Sequence, residues 1–175
     1  MIAVAAVDSN WGIGNKGGLL ERIPEDMRFL KKITSGKVVV MGRKTLQSLP
    51  GQKPLRNRRN IILSAKGRFD ADGLVVCRTP EELFHILSRY PPDDIFILGG
   101  ESVYNLLLPY CNEAFITMIH RPYEADRHFP NLDDVAAWSV AWVSETMNFG
   151  DISYNRVKYR NDIPQVYAES RTNKG

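Results

Sequence analysis

Apolar residues in this chain follow two alternating rhythms. Ile2 to Val7 is short, apolar and β-branched at intervals, the pattern of a strand covered on both faces. Pro24 then opens a helix running to about Thr34, with Met27, Leu30 and Ile33 at helical spacing. Glu25 and Asp26 suit its positive end, and Gly36 stops it. Val38 to Met41 reads as a strand, Arg43 to Leu49 as a short helix, and Asn60 to Ser64 as a third strand after a Pro/Gly/Arg loop. Thr79, Pro80 and Glu82 form a capping-box signature for a helix from Pro80 to Arg89. Asp94 to Leu98 is a strand ending at Gly99 and Gly100, and Glu101 to Leu108 is a helix stopped by Pro109. The alternation then gives way to three strand-like runs, Ala114 to His120, Trp138 to Thr146 and Ile152 to Arg160. The last two are joined by an Asn148-Phe149-Gly150-Asp151 turn. This order predicts an α/β sheet, parallel through its first half, with an antiparallel hairpin near the C-terminus. Residues 1–163 are expected to form one domain and residues 164–175 a loose polar tail.

Composition narrows the function. At 175 residues, with 43% hydrophobic and 25% charged positions, the chain suits one compact domain. Its net charge of +3 is small and interspersed, so no nucleic-acid partner is expected, and a small polyanionic ligand stays open. No apolar stretch approaches the roughly 20 residues that span a bilayer, and no charged leader precedes the first strand. No membrane association and a cytoplasmic location are therefore expected. Cys77 and Cys111 lack a CxxC pattern and read as buried fillers. His85, His120 and His128 are scattered, so no metal site is expected.

Gly12-Ile13-Gly14-Asn15-Lys16-Gly17 fits G-x-G-x-x-G after a strand, but a dinucleotide fingerprint needs its helix to start within the motif. Here the helix waits until Pro24, and the second strand ends Met41-Gly42-Arg43 without the acid that grips a ribose. Ser9 to Leu20 instead reads as a mobile glycine loop able to cover a neighbouring site, or as a plain surface connection. Two other strand-to-helix junctions, Gly42-Arg43-Lys44-Thr45 and Gly99-Gly100-Glu101-Ser102-Val103-Tyr104, combine backbone access with amides, hydroxyls and cations. They are either one crevice for a phosphate-bearing ligand or two tight turns that tolerate glycine. Asp26 likewise has two readings. It borders the apolar stripe of its helix, where a withdrawn acid meets a hydrogen-bond-donating ligand, or it simply favours the helix start.

Assembled, these segments resemble a dihydrofolate reductase of the single-domain bacterial type. The similarity runs from Ile2 to about Arg160 and is carried by Gly12-Ile13-Gly14, Ile23-Pro24-Glu25-Asp26-Met27, the two junctions, Arg58-Arg59-Asn60-Ile61-Ile62-Leu63-Ser64, and Asp126-Arg127-His128-Phe129-Pro130. The resemblance implies an eight-stranded, mostly parallel mixed sheet flanked by helices. It also implies reduction of 7,8-dihydrofolate to tetrahydrofolate by hydride transfer from NADPH, and antifolate inhibitors as ligands. By the same match Asp26 is the single catalytic acid, supported by Thr117. Val4, Ala5, Met27, Leu30, Leu49 and Leu55 wall the substrate, and Arg58 pairs with its glutamate carboxylate. Ala6 and Ile13 fall at the nicotinamide end of the cofactor, Arg43, Lys44 and Thr45 at its phosphates and Ser64 on the adenosine side, and Gly14, Gly42, Leu63, Ala65 and Leu98 also bind it. Gly99, Gly100, Glu101, Ser102, Val103 and Tyr104 meet the pyrophosphate, with the Gly99–Gly100 peptide cis.

The chain departs from the family pattern at Glu21, which stands where a tryptophan usually packs near the substrate. Glu21 is expected either to hold a water beside the pterin or to pair with Arg22 or Lys44. Leu30 replaces a frequent aromatic ring. Lys44, Lys66 and Arg78 all remain partners for the cofactor's 2′-phosphate. A monomer is expected. The alternatives are a related pterin or pyrimidine reductase on the same fold, and a non-catalytic folate- or nucleotide-binding protein.

Overall fold

The computed structural model describes residues 1–67, 69 and 73–167. Its strands are β1 (Ile2–Val7), β2 (Gly12–Asn15), β3 (Gly18–Leu19), β4 (Val38–Gly42), β5 (Arg59–Leu63), β6 (Leu74–Cys77), β7 (Ile95–Ile97), β8 (Glu113–Ile119), β9 (Arg127–His128), β10 (Trp138–Val143), β11 (Met147–Phe149) and β12 (Ile152–Asn161). Its α-helices are α1 (Pro24–Thr34), α2 (Arg43–Ser48), α3 (Pro80–Leu87) and α4 (Glu101–Leu107). The main sheet has the order β10-β12-β8-β1-β7-β4-β5-β6, with β11 paired to β12. Neighbours from β8 to β6 along this order run parallel, while β12 is antiparallel to both β8 and β10. The anticipated mixed sheet is the one observed.

The centre of the sheet is covered on both faces. Leu83 and Leu87 of α3 and Val103, Tyr104 and Leu107 of α4 pack on one side with Ala3, Val7, Val40 and Ile61. On the other side Ile33 of α1 and Leu46 of α2 join Ile2, Val39, Met41, Ile62 and Phe96. Successive strand residues point to opposite faces, so the uninterrupted apolar run Val38–Met41 supplies both layers at once. α3 starts as its signature predicts. Thr79 Oγ1 accepts from the Glu82 amide at 3.2 Å, and the Glu82 carboxylate reaches one residue further back, to the Arg78 amide at 2.6 Å. Cys77 and Cys111 are buried free thiols, pushed up to about 11 and about 12 by burial.

Three segments within residues 1–163 differ from the sequence expectation. Ser9 to Leu20, read as a loop, contains the β2–β3 hairpin, which joins β9 in a separate antiparallel sheet. Lys16 and Gly17 both have positive φ, +50° and +82°, which is what a two-residue turn between right-twisted strands requires. The glycines of G-x-G-x-x-G therefore serve close packing. A Cβ on Gly14 would sit 2.7 Å from Gly18 O, and one on Gly12 would sit 2.6 Å from Ala125 Cβ. Next, Leu74–Cys77 forms an additional strand beside β5, too short to announce itself by periodicity. Last, the run from Trp138 ends at Val143 after a register shift between Val140 and Trp142, and the hairpin turn belongs to β11 and β12. The start of the expected loose tail is anchored at two points although Val166 between them is exposed. The Gln165 amide donates to Pro109 O at 2.9 Å, and Tyr167 stacks on Phe84 at 5.1 Å. Residues 168–175 lie outside the described residues.

Candidate active site

The carboxyl ends of β4 and β7 meet where two glycines face each other. Gly42 N–H donates to Gly99 O at 2.7 Å, and a Cβ on Gly42 would lie 3.3 Å from Val103 Cγ2 and 3.9 Å from Gly100 N. Gly99 has φ +98°, the Gly99–Gly100 peptide is cis, and a Cβ on Gly99 would lie 2.7 Å from the Tyr104 ring. The Tyr104 ring cannot yield, because it is buried and its hydroxyl donates to Val4 O at 2.6 Å. A cleft of about 530 Å³ opens above this contact. Ala5, Ala6, Ile13, Gly14, Gly42, Arg43, Lys44, Thr45, Leu63, Leu98, Gly100, Glu101, Ser102 and Tyr104 line it, together with Asp126 and with Arg127 of β9. The two helices opening here are one to two turns long, so local amides, Arg43, Lys44 and hydroxyls are what the cleft offers an anion, more than any accumulated dipole.

Not every expected cofactor residue lines that cleft. Gly99 and Val103 shape its floor from behind. Ser64 is buried, its hydroxyl donating to Lys66 O at 2.5 Å, and Ala65 is exposed. Of the cations considered for a 2′-phosphate, Lys44 lines the cleft, while Arg78 is tied to Ser64 O at 3.0 Å. The small sheet closes the opposite wall. The Asp126 amide donates to Gly14 O at 3.0 Å, and the His128 amide donates to the Glu101 carboxylate at 2.9 Å, fastening β9 to both β2 and the start of α4.

Asp26 sits in the first turn of α1, outside the lining of that cleft, with its side chain 13% exposed. Thr117 Oγ1 donates to Asp26 Oδ1 across 91 residues of sequence. Arg156 Nε lies 3.8 Å from the same oxygen. Burial raises the carboxyl above the ordinary aspartate value; the Thr117 hydrogen bond and the Arg156 charge offset part of that. Oδ2 accepts no hydrogen bond among the described residues. The helix surface beyond Asp26 is only partly covered, with Met27 exposed and Leu30 and Ile33 half-buried. Val4, Leu49 and Leu55 pack with Ile33 on this face, while Ala5 borders the first cleft. Val4, Leu49 and Leu55 thus gather on the side of the sheet that carries α1, the helix of Asp26 and Leu30.

Arg58 lies at the far end of α1, beside a second cavity of about 630 Å³ lined by Gly51 to Arg58, Asn60 and Gly73. Its Nε donates to Arg56 O at 2.8 Å and its Nη1 to Thr34 Oγ1 at 3.4 Å, which fixes the guanidinium at the cavity edge. Glu21 takes neither of the partners expected for it. It accepts from Tyr123 Oη at 3.0 Å and from Arg121 Nη2 at 3.4 Å, because Asp8 draws the Tyr123 amide in at 2.7 Å and brings that loop against the β3–α1 connection.

Arg156 is the functional candidate that sequence reasoning missed. It stands directly opposite Thr117 in the β12–β8 pairing, so both side chains leave the sheet on the α1 face. A signal existed in Arg156, Lys158 and Arg160, three cations at strand spacing on one face of β12.

A mixed α/β sheet, parallel at its centre, with a cleft at the carboxyl ends of its strands and a largely buried acid beside it is an arrangement that suits a nucleotide-dependent reductase. A family model described as dihydrofolate reductase matches residues 1–161. A dihydrofolate reductase of Bacillus subtilis (strain 168) is 37% identical over 131 residues, covering 75% of this chain and 76% of the relative. Dihydrofolate reductase type A13 of Escherichia coli is 35% identical over 156 residues, covering 89% and 91%. Among solved structures, a dihydrofolate reductase from Enterococcus faecalis complexed with NADP(H) and RAB-propyl superposes with a TM-score of 0.78 at 29% identity, covering 92% of this chain and 95% of that one. The chain belongs to the dihydrofolate reductase family.

Proposed function

We infer that this protein reduces 7,8-dihydrofolate with NADPH, and that Asp26 is the acid that orients the pterin. The observation that carries the reading is the largely buried Asp26 carboxylate of α1, held at Oδ1 by Thr117 of the main sheet, with Oδ2 left to a ligand. Bound NADPH supplies the hydride. The residues present suit it: Gly42 and Gly99 let Val103 and Tyr104 pack closely beneath the cleft, and Arg43, Lys44, Thr45, Gly100, Glu101 and Ser102 line it with cations, hydroxyls and helix-start backbone for phosphates. Ala6, Ile13, Gly14 and Leu98 form the nicotinamide end, and Leu63, Ser64 and Ala65 the adenosine side. Val103 acts by packing under Gly42.

An ionised carboxylate has two acceptor oxygens and can take hydrogen bonds from the pterin 2-amino group and the adjacent ring nitrogen, fixing the ring edge-on. The nitrogen that is protonated, N5, lies across the ring from those groups. Asp26 therefore orients and polarises the ring, and the proton reaches N5 through water admitted past the β2–β3 hairpin. Val4, Ala5, Met27, Leu30, Leu49 and Leu55 wall the pterin and aminobenzoyl groups. Arg58, fixed at the second cavity, receives the glutamate carboxylate in a two-point contact. The protein works as a monomer in the cytoplasm and takes antifolates in the same pocket.

Purified protein mixed with NADPH and dihydrofolate is expected to lose the absorbance of the reduced nicotinamide. If both ligands bind and no absorbance is lost, the chain is a folate- and nucleotide-binding protein. If dihydrofolate does not bind, the pocket serves another pterin or pyrimidine.

A further inference from the structure

The Asp26 carboxylate does not stand alone in its pocket. Arg156 approaches it from the sheet with its side chain only 17% exposed. Its guanidinium is fixed at two points: Cζ lies 4.2 Å over the Phe29 ring, and Nη2 donates to Glu25 O at 3.3 Å. Nε is buried and has no hydrogen-bond partner among the described residues. Its nearest anion is Asp26 Oδ1 at 3.8 Å, just beyond hydrogen-bonding distance. A charged donor left unpaired in a buried position is costly, so its placement beside the one acid of the pocket calls for a physical account.

We propose that Arg156 is a positioning residue for the reductase reaction, its stacked guanidinium setting the Asp26 carboxylate through Nε–H and the Thr117 hydroxyl so that Oδ2 faces the ring. The proposal rests on the role given to Asp26 above. Closing the 3.8 Å gap between Nε and Oδ1 by about 1 Å brings the two within hydrogen-bonding distance. A ligand pulling on Oδ2 meets a carboxylate that is braced from behind. The arginine also supplies the one positive charge this close to the acid among the described residues. Of the other groups with influence there, the Tyr104 and Tyr154 phenols are neutral, and the Glu25 carboxylate accepts from Tyr154 Oη at 3.2 Å and from Arg28 at 3.3 Å. A lysine would keep the charge but lose the planar stack on Phe29 and the Nε donor.

The test follows the Asp26 carboxyl directly by carbon-13 NMR of aspartate-labelled full-length protein, with the resonance assigned through Asp26→Asn. In Arg156→Met the Asp26 titration midpoint is expected at least about one pH unit above the parent's. The pH at which dihydrofolate affinity falls off in acid moves up with it, while NADPH binding reports an intact fold. Arg156→Lys is expected to fall between. A parent-like midpoint in an Arg156→Met protein that binds NADPH normally would overturn the proposal and leave Arg156 as packing for Phe29. Should Arg156→Met fail to melt cooperatively, Arg156→Gln and Arg156→Lys decide: a midpoint higher in Gln than in Lys supports the proposal, and equal midpoints overturn it. A moved midpoint with unchanged dihydrofolate affinity supports the Arg156–Asp26 coupling and overturns instead the role given to Asp26.

Discussion

The two sides of the crevice are built by different means. The nucleotide side is made of backbone: two glycines at adjacent strand ends, a hydrogen bond between them, and side chains that mostly follow within five residues of each. The acid side is made of side chains from three distant segments, Asp26 on α1, Thr117 on β8 and Arg156 on β12, which meet only because β8 and β12 pair in one register. Backbone recognition depends on shape, and at Gly99 an added atom meets the buried Tyr104 ring. Side-chain recognition depends on charge and can be tuned one group at a time.

Substitutions on the two sides should therefore fail differently. The largest effect belongs to Asp26→Asn, which keeps the size and removes the charge. kcat/KM for dihydrofolate is expected to fall by about 100-fold or more at neutral pH, with NADPH affinity close to the parent's. Equal losses of both would show that the two sides are not independent. Gly99→Ala should fail in the opposite sense. Its φ of +98° and the 2.7 Å approach to Tyr104 predict about 1–3 kcal/mol of lost stability with weakened NADPH binding, read by thermal melting and by titration. Thr117→Val removes the hydroxyl donor to Asp26 while keeping its shape, for a loss of about tenfold in kcat/KM. It also lets the Asp26 carboxyl rise further, since that hydrogen bond lowers it.

The smallest effect is on stability against pH. Burial raises the folded-state pKa of Asp26 above 3.8, so the folded protein holds this proton more tightly than the unfolded chain. The contribution of Asp26 to stability is complete below 3.8 and is lost as pH rises through the folded-state value. The melting temperature of the parent minus that of Asp26→Asn is expected to decline over this range. A difference that grew with pH would mean that Arg156 and Thr117 outweigh burial.

Much of the nucleotide side was legible in advance because its information is contiguous. Gly42-Arg43-Lys44-Thr45 and Gly99-Gly100-Glu101-Ser102 each carry glycine, hydroxyl and charge in one stretch, and the strands before them declare themselves by unbroken apolar runs. The same local logic misled at Gly12 to Gly17, where an expected loop is a hairpin. The deciding feature there is a pair of positive φ angles at Lys16 and Gly17, and lysine does not advertise such a turn. Glu21 was legible as a departure but not in its direction, because its partners Arg121 and Tyr123 come from a loop about 100 residues away.

The sequence by itself determined the helix that carries Asp26, the long apolar strands of the main sheet and the glycine junctions, since helical spacing, capping and backbone freedom act between near neighbours in the chain. Only the tertiary structure decided that Arg156 would face Asp26 and that Glu21 would turn away toward Tyr123. Those contacts follow from strand register and loop packing, where a slip of one residue sends a side chain to the opposite face of the sheet.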